Sequence, residues 1–134
     1  MRVLSKVFED GNVDVVFAGH VHNYQRSAPL RFKLDHYDAS KNHQAPGEWT
    51  IDPAFDGKTK TKPSGIIYLV TGAGGALLYD KGQTEDRKSW KDFTVQFVSN
   101  VHSFTAVEVD GAKARFRQVD DHGREVDSFT VTKN

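Results

Sequence analysis

Two histidines separated by one residue are the most chemically specific feature of this 134-residue sequence. His20 and His22 follow an apolar run at residues 13–17 that Gly19 closes. A short run of β-branched and aromatic residues predicts a strand that is buried on both faces. If the backbone stays extended beyond the strand, side chains two residues apart project to one side, with Cα atoms about 6–7 Å apart. This spacing suits two adjacent metals better than one.

The residue type then indicates the chemistry. Neutral imidazole binds zinc, iron and manganese, and two metals about 3.5–4 Å apart can clamp a phosphoryl group. The carboxyl ends of strands are also where α/β sheets bind ligands. Two ordinary turn histidines are the competing interpretation. The metal site is favoured because Gly19 allows close backbone approach, and because two polar rings at the end of a buried strand are costly without a partner.

A helix and a long loop are predicted around this pair. Apolar residues at helical spacing indicate a helix over residues 1–10, with Gly11 as its stop. Residues 35–63 hold few apolar and many turn-forming residues, which predicts a long loop insertion. Trp49 and Phe55 are its expected anchors or walls of the site. The loop shapes the mouth of the site or is an insertion without a role.

The rest of the chain is predicted to be rich in strands. Residues 66–71 form another buried apolar run, and the Gly-rich segment 72–75 predicts a turn with positive φ angles that forms a wall of the site. Alternating residues from 94 to 131 predict an antiparallel β meander. Within it, Asp110-Gly111 is a strong two-residue hairpin signal.

Two other histidine motifs are interpreted as structural. Residues 120–122 spell Asp-x-His, but they lie beside Gly123 between two strand patterns, which predicts a hairpin turn. Residues 42–43 spell Asn-His, but no strand precedes them, which predicts a loop.

Composition excludes several classes of function. Lys plus Arg equals Asp plus Glu at 18 each, and no basic cluster with interleaved aromatics occurs, so nucleic-acid binding is not expected. The absence of cysteine excludes disulfides and thiolate metal sites. No apolar run is long enough for a membrane span, and no signal-peptide pattern begins the sequence. The location stays open, and a secreted or periplasmic full-length protein is compatible with the sequence.

The histidine motif and the residues behind it resemble the last metal-binding motif of the calcineurin-like metallophosphoesterases, and most closely that of the purple acid phosphatases. The matching residues are Gly19, His20, Val21, His22, Tyr24, Arg26 and Ser27. Gln25 stands where Glu is usual in the family. Segment 66–75 is similar to the strand and Gly-rich turn that follow in the same family, in order and in spacing.

This resemblance implies hydrolysis of phosphate esters at a dinuclear centre, with His20 binding one metal and His22 the other. The implied cofactors are two metal ions, iron with zinc, manganese or a second iron. The family's remaining ligands, including the bridging Asp, would lie upstream of Met1. Residues 1–134 are therefore expected to be a single partial domain, inactive without the missing amino-terminal part of the same protein.

The expected fold is α/β: the carboxyl-terminal half of a metallophosphoesterase β-sandwich with flanking helices, ending in the antiparallel meander. Asn23, Tyr24 and Arg26 are weaker candidates for contacts to substrate or to the metal ligands, with packing at a turn as the competing explanation. The alternative function is a non-enzymatic β-rich module whose histidine pair binds one structural metal or none. A third possibility is a cleavage product that completes the fold of another segment.

Overall fold

The computed structural model describes residues 2–40 and 45–133. A 3-10 turn, Arg2–Leu4, continues into helix α1, Ser5–Asp10, and the Gly11 N–H donates to the Val7 carbonyl at 3.0 Å where the helix ends. The predicted helix is thus confirmed, and the Asn-His motif at residues 42–43 lies outside the described residues. The strands in the described part are β1 Val15–Ala18, β2 Tyr24–Ser27, β3 Leu30–Leu34, β4 Gly47–Ile51, β5 Ile67–Thr71, β6 Thr94–Val98, β7 Ser103–Asp110, β8 Lys113–Asp120 and β9 Glu125–Thr132.

These strands form a mixed sheet, a hairpin and a meander. The mixed sheet has the order β1-β5-β2-β6, in which β1 runs parallel to β5 and the other pairs are antiparallel. β3 pairs with β4, and β7-β8-β9 is an antiparallel meander. Asp110 pairs with Lys113, which leaves a two-residue turn in which Gly111 has φ 55°. The predicted hairpin is therefore confirmed, but its turn lies one residue later than predicted, at Gly111 and Ala112.

The mixed sheet packs face to face against the meander. Their shared core consists of Tyr24, Ile67, Leu69, Val98, Phe116, Phe129 and Val131. The rings of Phe116 and Phe129 stack with centroids 4.6 Å apart. This sandwich, with few helices and a terminal meander, confirms the predicted fold class. None of the helices in the described part combines the length and apolar character needed to cross a bilayer.

A largely buried ion pair joins the two sheets. Arg26 of β2 donates from Nε and Nη2 to the two carboxylate oxygens of Asp127 in β9, at 2.6 and 2.9 Å. The Tyr24 hydroxyl donates to the same carboxylate at 2.7 Å. Burial raises the pKa of Tyr24 well above its ordinary value, and the charge of Asp127 raises it further, so the hydroxyl remains a donor. The guanidinium also lies 4.8 Å from the ring centroid of Phe129.

Three local expectations were wrong. β1 is not buried on both faces, since it lies at a sheet edge and Phe17 is 48% exposed. Residues 35–63 are not one loop, because β4 lies within them and pairs with β3. β6 belongs to the mixed sheet instead of the meander, since its partner is β2. All three errors have one cause. The local residue pattern does not specify which strand pairs with which, and pairing decides the position of a strand in its sheet.

The expected anchors within residues 35–63 are confirmed. Trp49 lies edge-on to Phe93 with ring centroids 5.3 Å apart, and Phe55 packs against the core between the sheets.

Replacing Asp127 by Ala should strongly destabilise the fold. The change leaves the Arg26 charge buried without a partner, which costs about 3–5 kcal/mol of unfolding free energy. The matched control is Glu108→Ala, which removes the partner of Arg117 from a more exposed pair and should cost under about 1 kcal/mol. Urea denaturation measures both values. Equal losses from the two variants would contradict a dominant role for the buried pair.

Candidate metal site

The two histidines lie in a tight turn directly after β1. His20 is exposed and has φ 71°, and the Val21 N–H donates to the Gly19 carbonyl at 2.9 Å, which closes a three-residue turn around His20. The backbone is therefore not extended here, in contrast to the geometry assumed from the sequence. A left-handed conformation costs a residue with a side chain on the order of 1–3 kcal/mol, and such strain concentrates at functional sites.

Three contacts from one distant segment hold His22. Its Nδ1 lies 2.8 Å from the Leu77 carbonyl oxygen, which can only accept, so Nδ1 carries the proton. Tyr79 stacks on the imidazole with ring centroids 4.2 Å apart and an interplanar angle of 18°. The Tyr79 N–H also donates to the His22 carbonyl at 3.2 Å. These contacts fix the tautomer and leave Nε2 with the lone pair that a metal needs.

Leu77 and Tyr79 were not predicted as residues of the site. They lie just beyond the Gly-rich segment, and no residue spacing links them to a histidine 55 positions earlier in the chain. Only the parallel alignment of β1 and β5 brings the two segments together, because both strands end at the same edge of the sheet.

Gly72 is the position where the segment after β5 approaches the backbone of the histidine turn too closely for any side chain. A Cβ at this position would clash with the carbonyl oxygen of Val21, and the Gly72 N–H donates to the Asn23 carbonyl at 3.1 Å. The positive φ angles expected for segment 72–75 are absent, so this prediction was wrong. Gly19 was expected to allow close approach, but no heavy atom would lie within 4 Å of a Cβ there. The close approach occurs at Gly72 instead.

The weaker candidates have structural contacts. Tyr24 and Arg26 are both hydrogen-bonded to Asp127 between the sheets. Asn23 is buried, and its Oδ1 accepts a hydrogen bond from Gln25 at 3.0 Å. Contacts of these three side chains to substrate or to the metal ligands stay a prediction.

The Asp-Asp-His sequence at residues 120–122 is a turn, as predicted. Among the described residues, it is the one group of three His, Asp or Glu whose ligand atoms lie within 4.8 Å of one another. The Asp120 carboxylate is buried and accepts from the backbone N–H groups of His122 and Arg124 and from Arg124 Nε at 2.8 to 3.0 Å. These bonds close the hairpin between β8 and β9.

The donor set at His20 and His22 fits part of a metal centre. Two imidazoles are suitable ligands, and the proton held at Nδ1 of His22 is the arrangement found when histidine binds metal through Nε2. Within the described residues no carboxylate joins them in a group of three potential ligands. Two metals need a bridging oxygen ligand and negative side chains, so this site is complete only with ligands from elsewhere.

Comparison with known proteins gives the same family as the motif. No family model matches the sequence. "Probable inactive purple acid phosphatase 1" of Arabidopsis thaliana is 26% identical over 98% of the chain, and "Probable inactive purple acid phosphatase 27" of the same plant is 27% identical over 96%. A purple acid phosphatase from yellow lupin seeds superposes on 98% of the chain with a TM-score of 0.65 and 20% identity, which supports the fold.

The chain is a homologue of the purple acid phosphatases. It spans 18% of the length of each Arabidopsis relative and 19% of the lupin chain. This coverage is consistent with a fragment of a longer phosphatase-like protein.

In this phosphatase homologue, Gly72→Ala should displace the histidine turn. The new Cβ meets a backbone oxygen that cannot move independently, so we expect a loss of about 1–3 kcal/mol of stability. Gly74→Ala is the matched control, because its Cβ would enter open space and change stability by no more than about 0.5 kcal/mol. Thermal unfolding and the NMR shifts of His22 report the two effects. Unchanged His22 shifts in Gly72→Ala would contradict the claim that the close contact of Gly72 with Val21 positions the histidine turn.

Proposed function

We propose that this chain supplies His20 and His22 to a dinuclear metal centre that hydrolyses phosphate esters, as part of a longer protein. The observation that carries the proposal is the hydrogen bond from His22 Nδ1 to the Leu77 carbonyl, because it leaves Nε2 available as a ligand. The position of both histidines just beyond the carboxyl end of a parallel strand supports it. The homology to purple acid phosphatases supports the class of reaction.

In this proposal the two histidines are ligands and not bases. His20 binds one ion and His22 the other, with iron paired with zinc, manganese or a second iron. Such a pair of ions supplies Lewis-acid polarisation of the phosphoryl oxygens and activation of a water molecule. The Leu77 carbonyl keeps the proton at Nδ1 of His22, and the stacked Tyr79 ring limits rotation of the imidazole.

In this proposal, residues 1–134 are one partial domain, the carboxyl-terminal part of a phosphatase catalytic domain. The bridging carboxylate and the other ligands come from the amino-terminal part of the same protein. The isolated chain is then inactive, because two imidazoles leave most coordination positions of two ions to water.

A second candidate is a non-enzymatic β-rich module with one structural metal or none. The names of both Arabidopsis relatives include the word inactive, which favours this alternative.

Replacing His20 and His22 together by Ala in the full-length protein should remove bound metal and lower phosphatase activity at least about 100-fold, since loss of groups that only orient a ligand already costs 10–100-fold. The matched control replaces His36 and His122, both exposed, by Ala and should change neither quantity. Metal content is measured by elemental analysis, and activity with a chromogenic phosphate ester.

The outcomes separate the two candidates. Unchanged metal content and activity in the His20/His22 variant would refute the proposal. Metal that is lost from the variant, together with no activity in the parent protein, would favour the structural module.

A further inference from the structure

The loop that holds His22, residues 74–79, has few apolar contacts of its own. Within this loop only Leu78 is buried, and Leu77, whose carbonyl lies next to Nδ1 of His22, is 77% exposed. A Cβ at Gly74 would meet no heavy atom within 4 Å. A loop with so little packing is not kept in one conformation by its own side chains. Its shape therefore depends on the contacts that hold its two ends.

The first end of the loop is fixed at Ala73. The Ala73 carbonyl oxygen faces two groups at the start of β7: the Ser103 N–H donates to it at 3.2 Å, and His102 Nδ1 lies 3.1 Å away. Because a carbonyl oxygen can only accept, Nδ1 of His102 carries the proton and donates as well. Ala73 and Ser103 are both buried, so water does not compete for these bonds.

The second end of the loop is fixed at Asp80 by Ser99, the residue directly after β6. The buried Ser99 hydroxyl donates to the Asp80 carbonyl at 2.8 Å. The Thr84 hydroxyl accepts from the Ser99 N–H at 2.8 Å and lies 3.0 Å from Ser99 Oγ. Asp80 has φ 48°, a left-handed conformation that persists where surrounding contacts enforce it. Both ends of the loop are therefore held by residues 99–103.

A largely buried polar network fixes the residues that hold the first end. Gln118 of β8 is 1% exposed, its Nε2 donates to Ser103 Oγ at 2.8 Å, and its Oε1 accepts from the Thr105 hydroxyl. The Thr105 hydroxyl also lies 2.8 Å from Oγ1 of Thr71, the last residue of β5. A network whose members are all paired favours one arrangement. The end of β5 and the start of β7 thus keep a fixed separation.

We propose that Ser99 and His102 are positioning residues for His22. They fix the two ends of the loop and so hold the Leu77 carbonyl and the Tyr79 ring against the imidazole of His22. Their importance for catalysis rests on the proposed function, in which His22 binds a metal through Nε2. The positioning itself is a property of the metal-free chain, because all of its contacts are between protein groups.

The 15N NMR signals of the histidine-labelled, metal-free chain test this positioning. The pH is kept above the ordinary histidine pKa of about 6.5, so that the signals report the tautomer. The parent chain should show a protonated Nδ1 and an unprotonated Nε2 at His22. His102→Phe keeps a planar ring without the donor, and Ser99→Ala removes the other anchor. In the double variant both His22 nitrogen signals should move towards the average of the two tautomers.

Two further variants separate positioning from a general loss of stability. His102→Asn keeps an N–H donor in the place of Nδ1 and should retain the parent signals of His22. Val131→Ala is the matched control, because it removes core volume from β9 near the opposite end of the meander. It should lower the unfolding temperature and leave the His22 signals unchanged. Each single variant, His102→Phe or Ser99→Ala, should give part of the shift, so the test does not require the double variant to fold.

Unchanged His22 signals in both single variants would overturn the inference. Equal shifts in Val131→Ala would also overturn it, because a general loss of stability would then explain the effect. In the full-length protein, the double variant should bind zinc at least about 10-fold more weakly, as expected when the groups that orient a ligand are lost. A full-length parent that binds no metal would refute the proposed function and leave the tautomer result intact.

Discussion

The parallel pairing of β1 with β5 is the constraint on which the candidate site depends. Parallel strands end at the same edge of a sheet, so the histidine turn after β1 and the Gly-rich segment after β5 become neighbours. Gly72 then permits backbone contact with Val21, and the segment beyond it reaches His22. The hydrogen bond from His22 to Leu77 and the stacking of Tyr79 follow from this alignment.

Contacts between the two sheets stabilise the alignment of β1 with β5. β2 begins two residues after His22 and is held to β9 through Tyr24, Arg26 and Asp127. A bidentate ion pair has a fixed geometry, so it sets the position of β2 as well as joining the sheets. Tyr24 and Arg26 therefore stabilise the fold. The residues that contact the imidazole of His22 come from the segment after β5.

Local signals in the sequence were sufficient for most elements. The apolar run at residues 66–71 and the Asp110-Gly111 pair specify a buried strand and a hairpin through their own residues, and both were predicted. β4 was missed because turn-forming residues surround a short strand that is stable only when paired with β3.

The contacts of the site were beyond sequence reasoning for a physical reason. Tyr24 and Asp127 are separated by 103 positions, and His22 and Leu77 by 55, so no local periodicity connects them. The histidine pair itself was found because its residue types carry chemistry. The strained conformation of His20 was not predicted, because an extended backbone was assumed beyond the strand.

The most direct test of the metal-ligand role is anomalous diffraction at the metal absorption edges from crystals of the full-length protein grown with zinc and iron. We predict two peaks, one at the imidazole of His20 and one at Nε2 of His22, with Nδ1 of His22 still bonded to the Leu77 carbonyl. Metal peaks that all lie away from both imidazoles would contradict the central claim.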